Sequence, residues 1–218
     1  MAEGRKFKVI NGRIIFDDSI ETVATNGKEL VTTVNKERVV MVLDSSGSMQ
    51  SLWSNKTRQL AAAEAAACLA KRSSPAFTKL GLIQFSHYAE TVIAPTADML
   101  MVADMCHPPA IGETTNYSAA LSAAAELNPN RIVFLSDGAP TDGVDGILSI
   151  CQTYKDLGIK IDTIAIGEQD RFNGSVLQQM SKITGGVYTY CKSPEELTAH
   201  FAKLETRARL LLEHKEAC

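Results

Sequence analysis

The sequence predicts an α/β protein with an open, mostly parallel sheet, one antiparallel edge strand and helices on both faces. From residue 39 onward, apolar runs of strand length alternate with segments of helical composition or period. The first run, "VVMVL" at residues 39–43, is apolar throughout, as expected of a strand buried on both faces. Sheets of this kind bind ligands beyond the carboxyl ends of their strands, so those ends are where functional residues are expected.

The first half of the alternating region is divided by clear breaks. A helix is predicted over residues 56–71, because its body "AAAEAAACLA" is rich in alanine, the strongest helix former. A strand over residues 79–85 and the segment "AETVIAP" are joined by a short turn, so "AETVIAP" is predicted to be the antiparallel edge strand. A short helix is predicted over residues 98–106.

The second half continues the alternation. A helix over residues 117–127 ends at the break Asn128-Pro129-Asn130, and the strand "RIVFLSDG" follows. The remaining predicted elements are a helix over residues 144–157, the strand "KIDTIAIG", the helix "SVLQQMSKI", the strand "VYTYC" and a last helix beginning near Pro194. The sequence contains no internal repeat.

The segment before the alternating region has a different pattern. "KFKVI" and "RIIF" flank Asn11-Gly12, a strong hairpin signal, and a third strand is predicted between residues 22 and 34. We therefore expect residues 1–36 to form a β extension that packs on a main domain of residues 37–218.

Composition limits the classes of partner and the location. The chain of 218 residues has 22 Lys and Arg against 25 Asp and Glu, a formal charge of −3 that disfavours non-specific nucleic-acid binding. No signal peptide and no membrane span are recognisable, so no membrane partner is expected. The five cysteines are widely spaced and form no C-x-x-C pair, which favours reduced thiols and predicts a cytoplasmic protein.

Acidic and hydroxyl side chains follow two of the predicted strands. Asp44, Ser46 and Ser48 come at the end of the first strand, in "DSSGS", and Asp137 ends another, in "RIVFLSDG". If these strands are neighbours, two carboxylates about 4 Å apart repel by roughly 4 kcal/mol at an effective dielectric of 20. A divalent cation would neutralise them, although Asp and Ser at such a position also serve as helix caps.

The types of oxygen at these positions select the cation. Asp44, Ser46, Ser48 and a threonine of "GETTN" offer hard oxygen and no thiolate or imidazole. Few carboxylates and several neutral oxygens favour Mg²⁺ or Mn²⁺ over zinc, and supply too little charge for a tight calcium site.

Three separated segments resemble motifs of the von Willebrand factor A family, in the family's order. They are "DSSGS", "TTNYSAAL" and "LSDGAPTDG". The resemblance covers most of the chain after residue 37 and implies a Rossmann-like fold carrying a metal-ion-dependent adhesion site, in a standalone intracellular member. The loop "SDGAPTDG" further resembles members of the tellurite-resistance type.

The resemblance also implies roles for individual residues. Ser46, Ser48 and Thr115 would bind the ion directly, whereas Asp44 and Asp137 would act through water. Thr114 is an alternative to Thr115, which is preferred because Asn116 follows it as in the family pattern. Where the family often has two glycines, this chain has Gly112-Glu113, and Glu113 brings an additional carboxylate that can compete for the ion.

Two classes of function follow from these residues. The first is a binding module, in which the ion captures an Asp or Glu of a protein partner. The second is a metal-dependent phosphatase or other hydrolase with Asp44 as nucleophile, but such enzymes typically need a second acid two residues later, where this chain has Ser46. No G-x-S-x-G element or phosphate-binding loop is present, so binding is favoured.

Four other residues near these motifs have interpretations of their own. Trp53 either flanks a partner surface or, as we favour, packs over the end of the sheet. The turn that carries His87 is expected to lie far from Asp44. Asp142 and Asp145 are interpreted as the cap and the first turn of the helix that begins at residue 144.

Overall fold

The computed structural model describes residues 36–108, 112–167 and 174–204, together with the backbone of three short strands nearer the N-terminus. These are β1 (Phe7–Ile10), β2 (Arg13–Phe16) and β3 (Ile20–Glu21), which pair in the order β1-β2-β3 as an antiparallel sheet. The pairing of β1 with β2 agrees with the predicted hairpin. The strand predicted between residues 22 and 34, and the packing of residues 1–36 on the main domain, lie outside the described residues.

The main sheet has six strands, and a two-stranded hairpin accompanies it. In chain order the further strands are β4 (Glu37–Asp44), β5 (Leu52–Trp53), β6 (Lys56–Thr57), β7 (Thr78–Phe85), β8 (Ala89–Thr96), β9 (Arg131–Ser136), β10 (Lys160–Ile166) and β11 (Tyr188–Cys191). The main sheet has the order β11-β10-β9-β4-β7-β8, and only the β7–β8 pair is antiparallel. The predicted fold class is therefore confirmed, including the antiparallel edge strand.

Helices cover both faces of the main sheet, at positions close to the predicted ones. They are α1 (Arg58–Arg72), α2 (Met99–Met105), α3 (Tyr117–Glu126), α4 (Val144–Asp156), α5 (Ser175–Thr184) and α6, described over residues 194–204. Buried side chains of α1, α2 and α6 belong to one hydrophobic cluster, and those of α3, α4 and α5 belong to the other. Two local features were not predicted, a 3₁₀ turn at Gly47–Gln50 and the β5–β6 hairpin that leads into α1.

The central strand β4 explains why its sequence is apolar throughout. Val39, Met41 and Leu43 pack into one cluster, whereas Val40 and Val42 pack into the other. Successive side chains of a strand point to opposite faces, so both faces of β4 are buried beneath helices. Polar chemistry is consequently confined to the ends of this strand.

The topology brings the two predicted carboxylates to one edge of the sheet. β4 lies between β7 and β9, and Leu43 of β4 is paired with Leu135 of β9. Asp44 and Asp137 therefore lie at the carboxyl ends of two neighbouring parallel strands. The chain leaves β4 for α1 on one face of the sheet and leaves β9 for α4 on the other face. Such a point is where open α/β sheets bind ligands.

The four described cysteines are free thiols, and Cys106, Cys151 and Cys191 are buried. Burial raises the pKa of the Cys106 and Cys151 thiols to about 12. These three residues act as small apolar side chains of the core, as the sequence predicted.

Glu37, at the amino end of β4, should make stability depend on pH. Burial raises the pKa of this carboxyl above its ordinary value, although Arg131 opposes the shift. A raised folded-state pKa favours the folded protein below the ordinary pKa, and this contribution is lost as pH rises through the raised pKa. We therefore expect Glu37→Gln to raise the melting temperature relative to wild type more at about pH 8 than at about pH 4.

The control for this measurement is Glu90→Gln, at an exposed position of the edge strand β8. Melting temperatures of both variants and of wild type would be followed calorimetrically across the pH range. A difference between Glu37→Gln and wild type that is constant with pH would contradict the interpretation.

Candidate metal centre

Asp44, the last residue of β4, has both carboxylate oxygens engaged. Its side chain is buried, Oδ1 accepts a hydrogen bond from the backbone N–H of Ser46 at 2.7 Å, and Oδ2 accepts one from Ser136 Oγ at 2.5 Å. Ser136, the last residue of the neighbouring strand β9, was not among the predicted site residues, although it directly precedes Asp137. These two bonds fix the orientation of the Asp44 carboxylate.

The surroundings of Asp44 leave its charge only partly compensated. Burial raises the pKa of this carboxyl to about 6, whereas the hydrogen bonds from Ser136 and Ser46 lower it, and the nearby Asp137 raises it further. A buried carboxylate of this kind favours a neighbouring positive charge. The electrostatics of the position therefore suit a cation.

The "DSSGS" element curls immediately after β4. Ser46 retains an extended backbone, and the 3₁₀ turn that follows is anchored by the fully buried side chain of Met49. This turn brings Ser46 Oγ and Ser48 Oγ to 3.0 Å from each other, and Ser48 Oγ donates to Asp137 Oδ1 at 2.6 Å. Ser48 thus connects the first motif directly to Asp137.

Asp137 has a second partner, Arg58, which was not among the predicted site residues. Arg58 Nη1 donates to Asp137 Oδ2 at 2.6 Å, with 12% of the Arg58 side chain exposed and 0% of the Asp137 side chain. Arg58 is the first residue of α1. Because α1 follows β4, its amino end lies at the carboxyl edge of the sheet, and this position in the sequence could have indicated the contact.

The segment "GETTN" at residues 112–116, here called the threonine loop, is attached through its backbone to the first motif, "DSSGS" at residues 44–48. Ser46 forms a parallel bridge with Gly112, and the Gly112 N–H donates to the Ser45 carbonyl at 3.0 Å. Farther along the loop, Thr115 is buried and exchanges two hydrogen bonds with Thr141, at 2.9 and 3.2 Å. The loop is therefore held between the first motif and the segment that follows Asp137.

Thr114 and Thr115 have different surroundings. The hydroxyl of Thr114 lies 3.2 Å from His87 Nδ1, whereas the side chain of Thr115 is buried. The expectation that the His87 turn lies far from the site is wrong. Asp44 pairs with Phe85 of β7, so the turn after β7 reaches the same edge of the sheet and contacts the threonine loop.

Asp142 caps a different helix from the predicted one. Its carboxylate accepts hydrogen bonds from the backbone N–H groups of Tyr117 and Ser118, at 3.0 and 2.9 Å, at the start of α3 rather than α4. The loop after Asp137 folds back onto the threonine loop, so the cap comes from a residue distant in sequence. Asp145 lies in the first turn of α4, as predicted.

Trp53 packs over the end of the sheet, as the favoured interpretation predicted. Only 5% of this residue is exposed, and its indole N–H donates to the Lys192 carbonyl at 3.1 Å. The neighbouring Leu52 is 74% exposed instead. Glu113 is exposed on the threonine loop.

The donor set of this edge fits a hard divalent cation. Two carboxylates and two serine hydroxyls form a connected group, and the described residues include no group of three or more His, Cys, Asp and Glu side chains placed to hold a metal ion. Oxygen donors with few formal charges are typical of Mg²⁺ and Mn²⁺ sites rather than of thiolate or imidazole zinc sites.

Comparison with known proteins gives a family match for part of the chain. Residues 39–139 match the family model of the von Willebrand factor type A domain. That match supports placing this part of the chain in the von Willebrand factor A family, and the structural neighbours share the fold. None of these comparisons points to the tellurite-resistance type in particular.

Similar chains include bacterial proteins named UPF0353. One from Mycolicibacterium vanbaalenii is 27% identical over 202 residues, covering 78% of this chain and 60% of that protein. Another from Mycolicibacterium paratuberculosis is 31% identical over 163 residues, covering 66% and 49%. The chain therefore spans about 60% of the length of the first of these relatives.

Solved structures with a similar fold come from a bacterium and from the mussel byssus. BatB from Bacteroides thetaiotaomicron has a TM-score of 0.69 at 16% identity, covering 79% of this chain and 98% of that one. Proximal thread matrix protein 1 from the mussel byssus has a TM-score of 0.63 at 17% identity, covering 78% and 45%. In that mussel protein, zinc occupies the metal-ion-dependent adhesion site.

The helices within the described parts of the chain are too short or too polar to cross a membrane.

Proposed function

We propose that this chain captures an acidic side chain of a protein partner through a divalent cation, Mg²⁺ or Mn²⁺. The proposed ligands, acting directly or through water, are Asp44, Ser46, Ser48, Thr115 and Asp137. The observation that carries this proposal is the connected group of oxygens at the ends of β4 and β9, in which Ser48 Oγ lies 3.0 Å from Ser46 Oγ and 2.6 Å from Asp137 Oδ1.

The proposed ligands are of two kinds, charged carboxylates and neutral hydroxyls. Asp44 and Asp137 are buried and held by hydrogen bonds, so they supply negative charge from fixed positions. The serine hydroxyls supply neutral oxygen, and Ser48 lies at the exposed side of the group. When bound, the cation supplies a positively charged coordination position that a partner carboxylate can occupy.

Thr115 is preferred over Thr114 as the threonine ligand. The Thr114 hydroxyl is engaged with His87, whereas Thr115 is buried on the part of the loop that is bonded to the segment following Asp137. These contacts support the preference for Thr115.

Binding is favoured over hydrolysis by the environment of Asp44. A nucleophilic carboxylate needs an oxygen that can reach a substrate, but Asp44 is 1% exposed and both of its oxygens accept hydrogen bonds. The position two residues later, where a general acid would be expected, is Ser46.

The free, buried cysteines are consistent with the cytoplasmic location that we propose.

A capture experiment tests the proposal. The immobilised protein would be exposed to lysate of its own organism in Mg²⁺ or in chelator, and bound proteins would be identified by mass spectrometry. We expect a partner that is retained in Mg²⁺, released by chelator and lost after its contacting Asp or Glu is changed to the amide. Capture that persists in chelator would place the interface elsewhere.

Glu113→Ala should leave capture of that partner equal or stronger. Glu113 is exposed on the threonine loop, next to Gly112, whose N–H is bonded to Ser45 of the first motif. Its carboxylate can compete with the partner's carboxylate for the cation, so its removal takes away an internal competitor.

The matched control is Glu126→Ala, which removes an equal charge from an exposed position at the far end of α3. Affinities of both variants for the captured partner would be compared by surface plasmon resonance in Mg²⁺. A loss of affinity in Glu113→Ala alone would show that Glu113 contacts the partner instead of competing with it.

A further inference from the structure

Arg58 places a positive charge inside the candidate metal centre. Its Nη1 atom lies 2.6 Å from Asp137 Oδ2, while the other oxygen of this carboxylate accepts from Ser48 at 2.6 Å. Asp137 is thus shared between the guanidinium on one side and the Ser48 hydroxyl on the other. An ion pair removed from solvent to this degree is screened much less than a surface pair.

Gly167 lies close to the guanidinium. A Cβ atom at Gly167 would lie 3.1–3.2 Å from Cζ, Nε and Nη2 of Arg58, and Gly167 has a φ of 110° that other residues rarely adopt. The Gly167 carbonyl in turn accepts a hydrogen bond from Tyr190 Oη at 2.5 Å. Within the described residues, Arg58 Nε is buried without a hydrogen-bond partner, so the contact with Asp137 is what orients the guanidinium.

Arg58 changes the net charge of the candidate metal centre. Counted over its buried charged groups, two carboxylates and one guanidinium, the site has a single net negative charge, and the exposed Glu113 is not included in this count. A divalent cation would therefore leave it with one net positive charge. If Arg58 were neutral, the same loaded site would have no net charge, and its attraction for an external anion would be smaller.

We propose that Arg58 is a positioning residue that weakens metal binding and strengthens carboxylate binding by keeping the loaded site positive. This inference rests on the proposed function of the same site and adds a determinant of its affinities. Arg58 acts by holding Asp137 against Ser48 and by opposing the cation electrostatically. Its removal should change the two affinities in opposite directions, which loss of structural support alone would not do.

The test uses Mg²⁺ alone and then acetate as a simple carboxylate. Calorimetry would give the Mg²⁺ affinity of wild type and Arg58→Gln, which keeps a hydrogen-bond donor for Asp137 without the charge. NMR of the Mg²⁺-saturated proteins would give the acetate affinity. We expect Arg58→Gln to bind Mg²⁺ at least about tenfold more tightly and acetate about threefold more weakly, because one unit charge acts more strongly on a divalent cation than on a monovalent carboxylate.

Two further variants separate charge from geometry. Arg58→Lys keeps the charge and should stay within about threefold of wild type in both affinities. Arg72→Gln removes the same charge at the exposed last turn of α1 and should leave both affinities unchanged. Should Arg58→Gln fold only in Mg²⁺, thermal midpoints across a Mg²⁺ series replace calorimetry, and a larger stabilisation than in wild type is the expected result.

The outcomes distinguish this inference from the function on which it rests. Wild type that binds no Mg²⁺ would contradict the proposed function itself. Wild type that binds Mg²⁺, with Arg58→Gln binding it equally or more weakly, would overturn only the role of Arg58. Arg58→Gln that remains unfolded in saturating Mg²⁺ would also overturn that role, because the cation should replace the missing charge.

Discussion

Ser48→Ala is expected to lower the affinity for Mg²⁺ roughly a hundredfold, about 2.7 kcal/mol, without unfolding the domain. The Ser48 hydroxyl connects the first motif to Asp137, with contacts of 3.0 Å to Ser46 Oγ and 2.6 Å to Asp137 Oδ1. Its loss removes one proposed ligand and releases a second from its orientation. Because Ser48 is exposed, its methyl replacement leaves no cavity in the core.

The control for this prediction is Ser51→Ala, an exposed serine just after the same 3₁₀ turn, whose backbone N–H bonds to the Ser48 carbonyl. This bond involves the backbone and survives the substitution, so Ser51→Ala should bind Mg²⁺ like wild type. Isothermal calorimetry measures both affinities, and circular dichroism checks that both variants are folded. Equal Mg²⁺ affinity in the two variants would remove Ser48 from the site.

Gly112→Ala should produce a similarly large loss of Mg²⁺ affinity and also destabilise the domain. A Cβ atom at Gly112 would lie 2.0 Å from Ser86 Oγ and 2.3 Å from Ser86 Cβ, distances at which real atoms cannot remain. The threonine loop must then move away from Ser46, to which Gly112 is bridged. Overpacking of this kind typically costs about 1–3 kcal/mol of folding free energy.

The clash can be relieved by a second substitution, which makes the test specific. Ser86→Gly removes both clashing atoms, so the double variant with Gly112→Ala should recover much of the lost stability and Mg²⁺ affinity. Ser86→Ala keeps the Cβ atom and should not rescue. Gly146→Ala, with no atom near its added Cβ on the exposed side of α4, is the control and should leave Mg²⁺ affinity unchanged.

A failure of rescue would show that Gly112 is required for a different reason. Loss of affinity that Ser86→Gly does not reverse would mean that the loop conformation, rather than the contact with Ser86, limits the site. Unchanged affinity in Gly112→Ala alone would mean that the threonine loop does not contribute to metal binding.

The fold was predictable because its determinants are local and periodic. The apolar run of β4 predicts a strand buried on both faces, and the alanines of α1 predict a helix that packs closely on a sheet. The two residues of β5 and the two of β6 carry no comparable pattern, because strands of that length have no period to read. The hairpin that they form was therefore missed.

The side chains of the candidate site were predictable only in part. Asp44 and Asp137 follow strands, so their shared edge could be inferred from the α/β pattern. Ser136 and Arg58 support these aspartates through contacts across 92 and 79 positions of the chain, and a single sequence gives no direct sign of such pairs. For Arg58, its place at the start of the helix after the first motif was a usable indication.

Asp142 shows how a local rule gives the wrong helix. An aspartate two residues before α4 matches the pattern of a helix cap, yet its carboxylate binds the first N–H groups of α3. The loop after Asp137 folds back onto the threonine loop through Thr115 and Thr141, and only the tertiary structure shows this. The same return of the chain connects the second and third motifs of the site.

Paramagnetic broadening by Mn²⁺ tests the central claim most directly, because it locates the cation on the folded protein. Amide signals of the assigned protein would be followed by NMR during a titration with substoichiometric Mn²⁺. We predict that signals of residues 44–48, 112–115 and 137–138 broaden first and that Mg²⁺ in excess restores them. The signals of Glu37 and Arg131, at the amino ends of β4 and β9, should be little affected. Broadening centred elsewhere, or spread evenly over exposed carboxylates, would contradict a divalent cation site formed by Asp44, Ser46, Ser48, Thr115 and Asp137.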